Sequence, residues 1–294
     1  MAFDAIYYPY MVDLDTAAID AVSDHTFDPG AQVIRPMVDG LLDPKLAAVS
    51  LINNRFNLTT HACKTALEAL NNVEDDPFSG KTLAVADTMT LFLQKATQYS
   101  RAGATSHIKC VVDSGLVAPM TMQAGNDAPG TLTLQAVILA GGATWSTSQS
   151  LAGTPAMDEM YYAGTCKLNN TPVDGVQSVS VDFALNLQIE REAGSQEAAA
   201  AFVGTRTPVL RLVTRDAAVW NTYKHGVAIS SATRVCFRAA NALTRESTGI
   251  SFTVAQGIII SEPISGNPMG PTIAIYPSKD AENEMVVMDT AAVL

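Results

Sequence analysis

Lysine and arginine are scarce in this chain and never run together. There are 18 of them against 29 acidic residues in 294, a formal net charge of −11. Without a basic stretch, a grip on nucleic acid through its phosphates is disfavoured. Charged residues make up only 16% of the sequence, which suggests that part of the surface is covered by partners. Disulfide and zinc scaffolds lack their raw material. Cys63, Cys110, Cys166 and Cys236 are scattered without a C-x-x-C pair and read as free, mostly buried thiols. The most apolar stretch, Leu132 to Gly142, is too short to span a bilayer. The first residues, Met1-Ala2-Phe3-Asp4-Ala5, have neither the basic start nor the apolar core of a signal peptide. The expectation is a protein made in the cytoplasm, with no membrane association.

Catalytic signatures are missing too. No G-x-x-x-x-G-K, G-x-G-x-x-G, H-E-x-x-H or G-x-S-x-G occurs, and His25, His61, His107 and His225 stand far apart, mostly on polar faces. Neither a catalytic or metal site nor a cofactor is expected. Asp15-Thr16-Ala17 and Asp289-Thr290-Ala291 resemble the tripeptides from which aspartic proteases pair two carboxylates. Those two sites do not correspond under the repeat described next, and surface acids are the better reading.

A hydrophobic content of 48% supplies the core of one large or two ordinary domains. Two is favoured by an internal repeat. Sliding the sequence by 154 positions from Ile6 to Ala66, without gaps, places Tyr7-Tyr8 on Tyr161-Tyr162, Asp20 on Asp174, Asp28 on Asp182, Gly40 on Gly194 and Thr60 on Thr214. Eleven of sixty-one positions are identical, where chance would give roughly four. Further on the offset falls to 141, with Gly125-Asn126 on Gly266-Asn267. The division expected is a first β domain over 1–140, a Gly/Ser/Thr-rich linker over 141–159, a second β domain over 160–277, and a C-terminal arm over 278–294 without counterpart.

Period-two alternation is clearest from Gln177 to Arg191 and predicts one long strand, buried on its odd side and wet on its even side. Its partner, Asp20 to Arg35, is broken at Pro29-Gly30. Long connections follow, 36–54 and 192–207, then a short strand and a helix expected to be capped by Thr60 or Thr214. The fold class expected is mainly β with minor α: two tandem β-sandwich or open-barrel domains, each with one short helix.

The run Val173-Asp174-Gly175-Val176-Gln177-Ser178-Val179-Ser180-Val181-Asp182 resembles the opening strand of bacteriophage tail tube proteins. Leu210-Arg211-Leu212-Val213-Thr214-Arg215-Asp216, leading from strand to helix after a long loop, extends the likeness. It covers the order of elements over 160–277 and, more faintly, 6–140. The resemblance implies subunits whose inner sheets join around a channel that passes viral DNA without binding it specifically. It also implies rings of three two-domain chains with pseudo-sixfold symmetry, or alternatively of six subunits, stacked into a virion tail with tape measure and tail terminator proteins as partners. Asp24, Asp28, Ser178, Ser180, Asp182, Asn186, Gln188 and Glu190 are then expected to face the bore, in an acidic or neutral wall without Lys or Arg. Gly40, Asp43, Gly194, Gln196 and Gly204 are expected in the loops that stack rings. The alternatives are another virion component, such as a capsid decoration protein or tail adaptor, an acid protease, and a secreted adhesin.

Overall fold

The computed structural model describes residues 7–15, 17–35, 47–70, 77–95, 106–151, 159–240, 245–263, 270–279 and 284–294. The protein is mainly β, with two short α-helices among these residues.

The first half contains β1 (Tyr7–Leu14), β2 (Ala17–Ile19), β3 (Val22–Asp28), β4 (Ala31–Ile34), β5 (Ala48–Ile52), β6 (Arg55–Thr60), α1 (Cys63–Leu70), β7 (Lys81–Leu83), β8 (Met89–Lys95), β9 (His107–Val112), β10 (Gly115–Gly125), β11 (Thr131–Ile138) and β12 (Ala143–Gln149). The second contains β13 (Met160–Ala163), β14 (Cys166–Leu168), β15 (Thr171–Val173), β16 (Val176–Asp182), β17 (Leu185–Glu190), β18 (Ala200–Arg206), β19 (Val209–Thr214), α2 (Ala217–Tyr223), β20 (Val227–Ala228), β21 (Thr233–Ala240), β22 (Arg245–Val254), β23 (Gly257–Ser261), β24 (Thr272–Pro277) and β25 (Val287–Val293).

The two halves have one strand order. An outer sheet runs β12-β9-β8-β1-β2 in the first and β25-β22-β21-β14-β15 in the second, where β13 also pairs with β21. An inner sheet runs β7-β10-β11-β6-β3 in the first and β20-β23-β24-β19-β16 in the second. Between Val22 and Thr60 the correspondence holds residue by residue at an offset of 154. The β3–β6 register, Val22↔Thr60 and then Asp24↔Thr59 after a bulge, recurs as Val176↔Thr214 and Ser178↔Val213. The bulged β4–β5 hairpin recurs in β17–β18 with the same partners.

Side-chain chemistry repeats with it. The Thr60 hydroxyl donates to the Asp20 carbonyl and the Thr214 hydroxyl to the Asp174 carbonyl, both at 2.6 Å. Each hydroxyl also accepts an amide N–H at 3.0 Å, from Ala62 or Asp216. These threonines therefore end strands and brace the turn into the helix; they are not the helix caps expected from sequence. Asp216 caps α2, accepting from the Ala218 amide at 2.8 Å. Positive φ values also coincide, at Asp15 and Asn169 and at Ala21 and Gly175, because the same tight turns recur.

Other expectations need correcting. The stretch read as a linker contains β12, paired with β9. The arm read as lacking a counterpart contains β25, paired with β22 in the place that β12 holds in the first half. Their polar, Ser/Thr-rich or Val/Ala-rich composition hid two edge strands. The long strand expected from Gln177 to Arg191 is two strands. At Ala184 φ is +44°, and the Asp182 carboxylate accepts the Ala184 amide at 3.0 Å, turning the chain out of the inner sheet. The same turn in the first half is Gly30, whose amide donates to Asp28 at 2.8 Å. Alternation continues through the turn, so periodicity alone could not reveal it. The long connections likewise contain β5 and β18, each the return strand of a projecting hairpin arm.

The core lies between the inner and outer sheets of both halves as one contiguous cluster. Phe183 ties the halves together. It is fully enclosed, 5.2 Å from Phe78 of the first half and 5.9 Å from Phe252 of the second.

Candidate assembly interface

The two inner sheets meet edge to edge. β10 pairs antiparallel with β16 from Thr121↔Asp182 to Gly125↔Ser178, making one ten-stranded sheet. The Phe183 amide extends the seam by donating to the Met120 carbonyl at 3.0 Å. Joining removes two edges that would otherwise carry unpaired backbone groups. It also completes burial on the core side, where Val179 is 2% exposed and Val181 fully enclosed.

The equivalent edge in the first half is β3. Among the described residues it pairs with β6 on one side only and ends the ten-stranded sheet. The counterparts of Val179 and Val181 are His25 and Phe27, both only half-buried. At the opposite end β23, the counterpart of β10, carries short β20 where β10 carries β7. The chain therefore contains one completed junction between like units and presents the β3 half of a second.

Around the β10–β16 junction and along β3 and β6, the face of this sheet turned from the core is polar. Asp24, Thr26 and Asp28 lie on β3, Asn57 and Thr59 on β6, Gln123 on β10, and Ser178, Ser180 and Asp182 on β16. Of the residues expected to face a bore, the sheet thus brings together Asp24, Asp28, Ser178, Ser180 and Asp182. Asn186, Gln188 and Glu190 stand apart on β17, whose only strand partner among the described residues is β18. The expected absence of basic residues fails as well: Arg55 lies opposite Asp28, and Arg211 opposite Ser180. Reading only the clearest strand missed both, since each sits on the following strand, where a register was needed to find it. Arg211 is neutralised by Glu262 at 2.9 Å, and that hydrogen bond raises its pKa. Asp24, Asp28, Asp182 and Glu262 still outnumber the two arginines.

Of the residues expected to stack rings, the three described ones lie on the second hairpin arm. Gly40 and Asp43 lie outside the described residues. Gly194 sits at the tip of the second arm at φ +86°, with open space around it. Gly204 lies within β18. Gln196 is already engaged within the chain, accepting from the Ile52 amide at 2.9 Å and donating to the Val49 carbonyl at 2.8 Å. It fastens the second arm to the edge of β5.

The carboxylates weighed for protease chemistry have separate roles. Asp15, in the turn after β1, accepts from Lys81 at 3.3 Å, and Asp289, on β25, accepts from the Ala291 amide at 2.9 Å. All four cysteines are buried and unpaired. Burial pushes Cys63 and Cys166 up to about 12 and Cys110 and Cys236 up to about 11, so they are poor nucleophiles at neutral pH. His107, expected on a polar face, is fully enclosed. Among the described residues no cluster of His, Cys, Asp or Glu could hold a metal ion, and no helix is long and apolar enough to cross a membrane. No protein-family model matches the chain, and no curated protein was found to match it.

Proposed function

We propose that this protein is a structural subunit that assembles through its inner sheet into rings, stacked as the tail tube of a bacteriophage, through which DNA passes. The observation that carries the reading is the β10–β16 junction. Two units of one topology are already joined edge to edge, and the first unit presents at β3 the same kind of edge to the second unit of another chain. A heterologous contact of this sort repeats until it closes into a ring or runs on as a filament. Closure removes the last sheet edges. Three chains give six like units per ring; six chains per ring is the alternative.

The polar, net acidic face of the joined sheet then lines the bore. A wall with more carboxylates than guanidinium groups, one of these held by Glu262, lets a polyanion pass without being gripped. Sedimentation of the purified protein tests the assembly. With 31.0 kDa per chain, species of three or six chains, or longer polymers of them, are expected. A single-chain species at all concentrations up to the millimolar range would overturn the reading.

A further inference from the structure

A second contact at the same junction is legible from a mismatch between the two halves. Within the chain, the second hairpin arm folds back over the first unit. β17 and β18 pack on β10, and Leu187 and Val203 on the arm pack against the core. The Ala198 carbonyl accepts from the Ala140 amide at 2.9 Å, just past the end of β11. Beside that landing point Leu116 and Val137 face each other across β10 and β11, on the side of the sheet turned from the core. Although they face outward, they are only 3% and 0% exposed.

Their counterparts in the second unit are Ile258 and Tyr276. These are likewise a direct cross-strand pair, with Ile258 opposite β20 as Leu116 is opposite β7. They are 52% and 44% exposed. The counterparts of Leu187 and Val203 on the first arm are Val33 and Val49, at 57% and 38% exposed. The second arm thus lies on a unit whose Leu116–Val137 pair is buried, whereas the first arm's Val33 and Val49 and the second unit's Ile258–Tyr276 pair are all uncovered.

We infer that the β4–β5 arm of one chain seats Val33 and Val49 on the Ile258–Tyr276 patch of the neighbouring copy's second unit, as β17–β18 seats itself on the first unit within a chain. The occupant is a second copy because only this chain's own repeat supplies the matching arm. The inference rests on the assembly reading above and adds to it the surface that locks adjacent chains. Each arm overlaps the preceding unit, so the sheet seam is clasped from outside the core at every junction, not only at the one inside the chain.

Charge tests it. Ile258→Asp and Val33→Asp each place an unpaired carboxylate in the contact, and the concentration for half-assembly should rise at least tenfold, with unfolding temperature in dilute solution unchanged. Combining Val49→Lys with Ile258→Asp sets opposite charges against each other and should restore assembly at low salt. Single variants that assemble like the unmodified chain, or a pair that fails to recover, would overturn the arm contact while leaving ring assembly standing. If the unmodified chain never assembles, both readings fall together.

Discussion

His107 shows how enclosure turns a common side chain into a pH sensor of stability. Its Nδ1 accepts the Lys95 amide at 3.1 Å, and no solvent reaches the ring. A proton on that nitrogen would have to displace the amide hydrogen, and enclosure pushes the pKa below 6.5. His25 is depressed as well, by desolvation against a smaller opposing pull from Asp24. The folded protein therefore binds fewer protons than the unfolded chain below pH 6.5, so stability is fully present above that value and falls as the pH drops through the depressed folded values. Unfolding midpoints measured from pH 7.5 down to 5 should decline, and His107→Asn should flatten the decline. A slope unchanged in the variant would remove His107 from this role. Nothing in the spacing of the four histidines distinguishes this one. Its enclosure comes from Lys95 and Gln149, brought to it by strands β8 and β12, and the second of these reads as linker.

Elements were legible where periodicity and turn chemistry agreed, and less so where tertiary contacts decide. The strand–turn–helix unit is visible in both halves because Thr60 and Thr214 follow alternating strands. The different surroundings of the two helices are not. α1 buries Cys63, Ala66, Leu67 and Leu70 and is bridged from β25 by Thr290, whose hydroxyl donates to Glu68 at 2.8 Å. α2 buries only Tyr223. One helix is enclosed by both units, whereas the other lies at the far end of the joined sheet. Leu67→Ala should thus cost about 2–5 kcal/mol, while Asn221→Ala at the equivalent position should stay within about 0.5 kcal/mol. Denaturant titrations of the two variants check this, and equal losses would contradict the account. Similarly, the break at Ala184 escaped the sequence because hydrophobic alternation passes through it; only the Asp182 side chain and the positive φ mark it.

At the scale of the molecule, the duplication could be read in sequence because an ungapped stretch of strands conserves turns and bulges as well as identities. The junction could not, since which edge meets which depends on strand order, and β12 and β25 carry little pattern. The central claim is that the contact made once inside the chain, β10 to β16, is made again between chains at β3. Rotational averaging of end-on electron micrographs of the purified assembly tests it most directly. The account predicts a hollow ring of six nearly equal lobes with true threefold symmetry. Solid particles, or a ring whose lobes are not two per chain, would contradict it.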